Sequence, residues 1–135
     1  MIQIPEAIYQ RMVEHAKKEK PLECCGILAG RGKTVEKAFE MRNAEESAIR
    51  YSISPQEQLK VLEEMDKESM EMIAIYHSHP HTIPFPSEID VKMAFYPEMS
   101  SIIVSLKEEN DPVIRGFLIR EEAIYPEEIQ VIPSL

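Results

Sequence analysis

The segment Met72-Ile-Ala-Ile-Tyr76 constrains this chain more than any other. It is too short for a typical helix, long enough for a central strand, and it ends directly at His77-Ser-His79. Side chains two apart on a strand share a face, so His77 and His79 converge on one point while Ser78 points elsewhere. After ten intervening residues stands Asp90, in the first turn of a helical pattern opened by Ser87-Glu-Ile-Asp90. A carboxylate is favoured there by the helix dipole and held in a fixed orientation.

Around that centre the chain alternates between the two periodicities. Residues 6–18 place Ala7, Ile8, Met12, Val13 and Ala16 at helical spacing. Residues 25–30 are a short apolar run bounded by glycine, and residues 34–42 follow Gly32 with Val35 and Phe39 at strand-like positions, which predicts a hairpin. Residues 49–53 have the composition of a further strand. They run into Ser54-Pro55-Gln56-Glu57, a capping serine with proline at the first helical position and glutamate at the third. The helix that starts there should carry Leu59, Leu62 and Met65 inward and end before Met72. The third helical pattern stops at Pro97. Strands follow at 101–106 and 113–120, with a last edge strand at 128–132. This order predicts an α/β (α+β) architecture, one mixed sheet flanked by helices. A chain of 135 residues, 44% of them apolar, has material for one core, so residues 1–135 are read as a single domain.

Two imidazoles and one carboxylate make a three-ligand set for a divalent ion. For zinc this leaves the fourth tetrahedral position to water, which separates a catalytic site from a closed structural one. Catalysis also needs a group that takes the water's proton and delivers it to the leaving amine. Glu23, flanked by Leu22 and Cys24 ahead of an apolar strand, is the candidate, since partial burial raises a carboxyl's pKa into a useful range. Ser87 sets a hydroxyl beside the metal, where it can donate to a developing oxyanion; it is also a sensible helix cap with no chemistry at all. Cys24 and Cys25, the only cysteines, are adjacent and form no metal or redox motif. They read as small reduced hydrophobes, and a thiolate ligand from either would close the site. His15 and His81 receive no role.

Glu23, the HSHP of residues 77–80 and the SEID of residues 87–90 together resemble the JAMM (MPN+) zinc metalloprotease family. Its signature is an upstream glutamate, HxHP, and a serine three residues before an aspartate. The likeness extends to the IP start before a helix, the PLECCGILAG segment, the aliphatic strand before HSHP and the strands after the third helix. It implies the family's cytidine-deaminase-like fold and one zinc held by His77, His79 and Asp90. It also implies a water-activating role for Glu23 and an oxyanion-stabilising role for Ser87. The activity it implies is hydrolysis of the peptide or isopeptide bond after the C-terminal glycines of a ubiquitin-like or sulfur-carrier protein. The runner-up is a catalytically silent MPN-type scaffold that binds partners, against which the intact ligand set argues. A zinc deaminase would need HxE and PCxxC, and neither is present.

Charge and hydropathy narrow the partners. A formal charge of −9 disfavours non-specific binding to nucleic acid or anionic lipid. The start lacks a basic segment followed by an apolar one, and no stretch approaches the roughly 20 apolar residues of a membrane span. A cytoplasmic protein is expected, with oligomeric state open and a homodimer among the options.

Overall fold

Tyr76 is wholly buried, and its ring lies across the backbone of Gly26, its register partner on the neighbouring strand. A Cβ added at Gly26 would fall inside that ring, so glycine is what lets an aromatic of this size pack there. The contact sits at the centre of an eight-stranded sheet. The computed structural model describes residues 1–94 and 96–134.

The elements in chain order are β1 (Ile2–Pro5), α1 (Glu6–Glu19), β2 (Cys25–Arg31), β3 (Thr34–Met41), α2 (Pro55–Lys67) and β4 (Glu71–His79). They continue with α3 (Glu88–Lys92), β5 (Ser100–Ser105), β6 (Val113–Arg120), β7 (Ala123–Glu127) and β8 (Ile129–Ile132). Across the sheet the strands run β7-β6-β5-β4-β2-β3-β1-β8. The expected mixed sheet with flanking helices is thus present. β4 pairs antiparallel with β2 and parallel with β5, and α3 lies on the crossover between β4 and β5. The C-terminal end of β4 therefore opens beside a helix start, a favoured place for a site in sheets of this kind.

Each face of the sheet buries a different cluster. On one, α1 lays Met12, Val13 and Ala16 against Ile2, Ile4, Leu28, Val35, Tyr76, Ile102 and Val104. Full burial of each large aliphatic side chain there contributes about 1.5–3 kcal/mol. On the other, α2 packs Val61 and Met65 onto Cys25, Ile27, Phe39 and Met41. Alternation along β4 sends Tyr76 to the α1 face and His77 and His79 to the other.

Four expectations need correction. Leu59 and Leu62 of α2 are 57% and 40% exposed, whereas Val61 and Met65 are buried. The small cluster under α2 accepts one narrow edge of the helix, Val61 and Met65 one turn apart; Leu62 falls on the flank and Leu59 on the far side. Residues 49–53 form no strand. Their backbone groups bond to Asn43 instead, through its amide to Arg50 O and its carbonyl oxygen from Ser52 N, and Ile49 is exposed. The third helix ends at Lys92 rather than running to Pro97, with position 95 outside the described residues. Asp90 is its only buried residue, so no apolar face supports further turns. Finally, β1 and β7 add strands where none was expected; β1 runs parallel to both β3 and β8, which leaves β8 at the edge.

Candidate metal centre

β4 continues three residues past the apolar run, to His79, so both histidines lie on a regular strand and point to the same face. Ser78 between them is turned to the other side, where its Oγ accepts a hydrogen bond from Cys24 N at 2.8 Å. Ser87 caps α3: its Oγ accepts from Asp90 N at 3.1 Å, and Asp90 Oδ2 accepts from Ser87 N at 2.9 Å. This reciprocal box fixes the Asp90 carboxylate toward the end of β4. His77 Nε2 stands 3.2 Å and His79 Nε2 3.0 Å from Asp90 Oδ2, and the two ring nitrogens are 3.2 Å apart. All three residues are buried, with ligand atoms within 4.8 Å of one another.

The protons show what belongs between these atoms. His79 Nδ1 lies 2.9 Å from Ile83 O, a carbonyl that only accepts, so Nδ1 carries a hydrogen and donates it. In a neutral ring this leaves Nε2 as a bare lone pair facing a carboxylate oxygen at 3.0 Å. Two acceptors rest at that separation only with a proton or a cation between them. Burial alone would lower the His79 pKa, but hydrogen bonds to Asp90 and Ile83 and the charges of Asp90 and Glu23 push it up. Burial likewise works to raise Asp90, yet its hydrogen bonds to His77, His79 and the Ser87 amide hold it well below the usual carboxylate range. The three side chains thus turn their donor atoms toward one point, and two nitrogens with one hard oxygen form a donor set suited to zinc.

Glu23 lies two residues before Cys25, the register partner of His77, and continues the alternation toward the same face. Its side chain is buried, and Oε1 has no hydrogen-bond partner among the described residues. Burial, reinforced by the negative charge of Asp90 and only partly opposed by His79, pushes its pKa up to about 8. One carboxyl of the site is thereby kept ionised and the other kept ready to hold a proton, the separation that acid–base chemistry needs.

The sequence gives no signal for three further contributors. Tyr51 stacks on the His77 ring at 4.7 Å and 24°, which fixes an imidazole whose Nδ1 has no hydrogen-bond partner among the described residues. The Ile83 carbonyl sets the His79 tautomer, and a backbone atom carries no residue-type signature. Buried Asn43 donates to Glu23 O at 3.0 Å. The residues set aside earlier lie apart: His81 is exposed, and His15 is buried on the α1 face, its Nδ1 at 2.8 Å from the Tyr76 hydroxyl. Burial pushes the Cys25 thiol up to about 12, which keeps it a neutral thiol beside His77. An apolar cavity of about 250 Å³, lined by Ile27, Ile53, Ile75, Ile89, Met93 and Ile119, opens next to His77 and Asp90. It has room for an apolar side chain next to these two residues.

Comparison with known proteins gives one consistent picture. The family model for prokaryotic homologs of the JAB domain matches residues 5–118. The CysO-cysteine peptidase of Mycobacterium tuberculosis is 36% identical over 123 residues, covering 90% of this chain and 84% of that protein. The desampylase of Haloferax volcanii is 33% identical over 103 residues, 74% of each chain. The solution structure of DSY2949 from Desulfitobacterium hafniense superimposes with a TM-score of 0.93 at 36% identity, over 100% of this chain and 95% of that one.

Proposed function

Because this chain belongs to the prokaryotic JAB-domain family, we propose that it is a zinc peptidase that hydrolyses the bond after the C-terminal glycines of a ubiquitin-like or sulfur-carrier protein. The observation that carries the reading is the group of three buried donors, His77, His79 and Asp90, set beside the buried carboxyl of Glu23, whose Oε1 has no hydrogen-bond partner among the described residues. The activities of the M. tuberculosis and H. volcanii relatives supply the substrate class. We take residues 1–135 as one catalytic domain holding one zinc ion. The cytoplasm is its proposed compartment, in keeping with two free, buried cysteines. No helix among the described residues is long and apolar enough to cross a membrane.

His77 Nε2, His79 Nε2 and one Asp90 oxygen would hold the ion. When bound, zinc supplies the Lewis acidity that makes water nucleophilic near neutral pH. Glu23, brought to its ionised form by the positive charge of the bound ion, takes the proton that the attacking water loses, holds it in its buried setting, and then passes it to the leaving amine. Ser87 Oγ accepts from Asp90 N, which leaves its O–H to donate to the carbonyl oxygen as negative charge develops there. The Ile83 carbonyl and the Tyr51 ring hold the two imidazoles in place, so little reorganisation is left for the reaction itself.

A sulfur-carrier protein extended past its C-terminal Gly-Gly is the substrate that tests this. The wild-type protein loaded with one zinc should cleave after the glycines, and Glu23→Gln should keep the metal while losing cleavage. Full activity in Glu23→Gln would remove the proton-transfer role, and an inert zinc-loaded wild type would point to the scaffold reading.

A further inference from the structure

Residues 43–52 form neither helix nor strand, yet the side chain of Asn43 binds this loop to the site. Asn43 is buried, and five backbone groups converge on its amide. Nδ2 faces Glu23 O at 3.0 Å, Arg50 O at 3.0 Å and Ser47 O at 3.4 Å, while Oδ1 accepts from Glu45 N at 3.0 Å and Ser52 N at 3.3 Å. Four of these contacts stay within the loop. The fifth leaves it for Glu23, and the loop answers with a second bond, from Glu23 N to Ser47 O at 2.8 Å.

Glu23 precedes β2, so neither of its backbone groups belongs to the sheet ladder. The loop satisfies both, one through the Asn43 side chain and one through a carbonyl that Asn43 itself engages. Its other end delivers Tyr51, one residue beyond the Asn43–Arg50 bond, onto the His77 ring. One side chain thus ties together the backbone that carries the buried carboxyl and the aromatic that backs an imidazole.

We infer that Asn43 is a positioning residue of the metal centre: it clamps the 43–52 loop so that Glu23 and His77 are held in one fixed relation. This rests on the proposed role of Glu23. A residue needed only for folding would affect stability and leave turnover per folded molecule alone. A positioning residue acts on the chemical step, and losing such support typically costs 10–100-fold.

The test is Asn43→Ala on the zinc-loaded protein, with the extended sulfur-carrier protein as substrate. kcat per folded, zinc-containing molecule should fall about 10–100-fold with KM within about twofold of wild type. In the Glu23→Gln background Asn43→Ala should add almost nothing, because both act on the same step. Cobalt substituted for zinc should show an altered visible spectrum in Asn43→Ala as the His77 ring shifts. Wild-type kcat and an unchanged cobalt spectrum in folded Asn43→Ala would overturn the inference. Activity retained in Glu23→Gln would instead overturn the functional reading beneath it. Should Asn43→Ala fail to fold, hydrogen exchange on the wild type decides. The Glu23 backbone amide and the Asn43 side-chain amide should exchange as slowly as amides of β2, and exchange at open-loop rates would refute the clamp.

Discussion

Replacing Glu23 by glutamine should make the metal-free protein more stable, by an amount that grows with pH. Glu23 is buried with no partner for Oε1 among the described residues, and burial pushes its pKa up to about 8 against an ordinary value of 4.5. In the unfolded chain the group ionises above pH 4.5; in the folded chain it stays protonated until about 8. Below pH 4.5 both states hold the proton and there is no penalty. Between the two values the folded protein loses about 1.4 kcal/mol per pH unit relative to the unfolded chain, and above 8 the penalty is constant. Glutamine has the same shape and no charge to desolvate. Its advantage over glutamate should therefore widen by about 3 kcal/mol between pH 5 and pH 7.5. Urea denaturation of both proteins in a chelator, across that range, measures the difference directly. Parallel stability curves for wild type and Glu23→Gln would show that Glu23 ionises freely in the fold, and the proton-holding role would go with it.

Ser87→Ala removes both the α3 cap and the free hydroxyl. It should cost about 1 kcal/mol of stability by thermal denaturation, and about 2.7–4 kcal/mol of transition-state stabilisation, read as a 10²–10³-fold loss in kcat. The thiols of Cys24 and Cys25 are buried and pushed up to about 12, so neither should react with an aromatic disulfide reagent at pH 8 in the native protein, while both react in urea. Rapid native labelling would contradict that burial. Gly26→Ala forces a methyl into the Tyr76 ring and should destabilise by about 1–3 kcal/mol. A double-mutant cycle with Tyr76→Leu should recover part of the loss, and strict additivity would mean that the two residues do not touch.

The convergence of His77, His79 and Asp90 was legible because two short-range rules fix it. A strand repeats every second residue, and a serine cap orients the carboxylate three positions on. The rules fix how each donor points, and the crossover from β4 to the parallel β5 brings the helix start to the strand end. The face of α2 was not legible, because Leu59 and Leu62 are as apolar as Val61 and Met65, and only the width of the cluster beneath the helix selects between them. The 49–53 segment failed for a related reason. Its composition suits a strand, but Asn43 offers its backbone a side-chain partner at shorter range than any neighbouring strand. Tyr51 and the Ile83 carbonyl escaped notice because their roles come from where a loop passes in space. The sequence thus discloses the donors of the site, while the groups that hold the donors still emerge only from tertiary packing.

An anomalous diffraction map at the zinc edge, from crystals of zinc-loaded protein, tests the centre most directly. One peak per chain is expected, about 2.0–2.1 Å from His77 Nε2 and His79 Nε2 and about 2.0–2.2 Å from an Asp90 oxygen, with no fourth protein ligand; the peak should vanish in Asp90→Ala. A peak elsewhere, a fourth ligand from the protein, or zinc retained in Asp90→Ala would contradict the assignment.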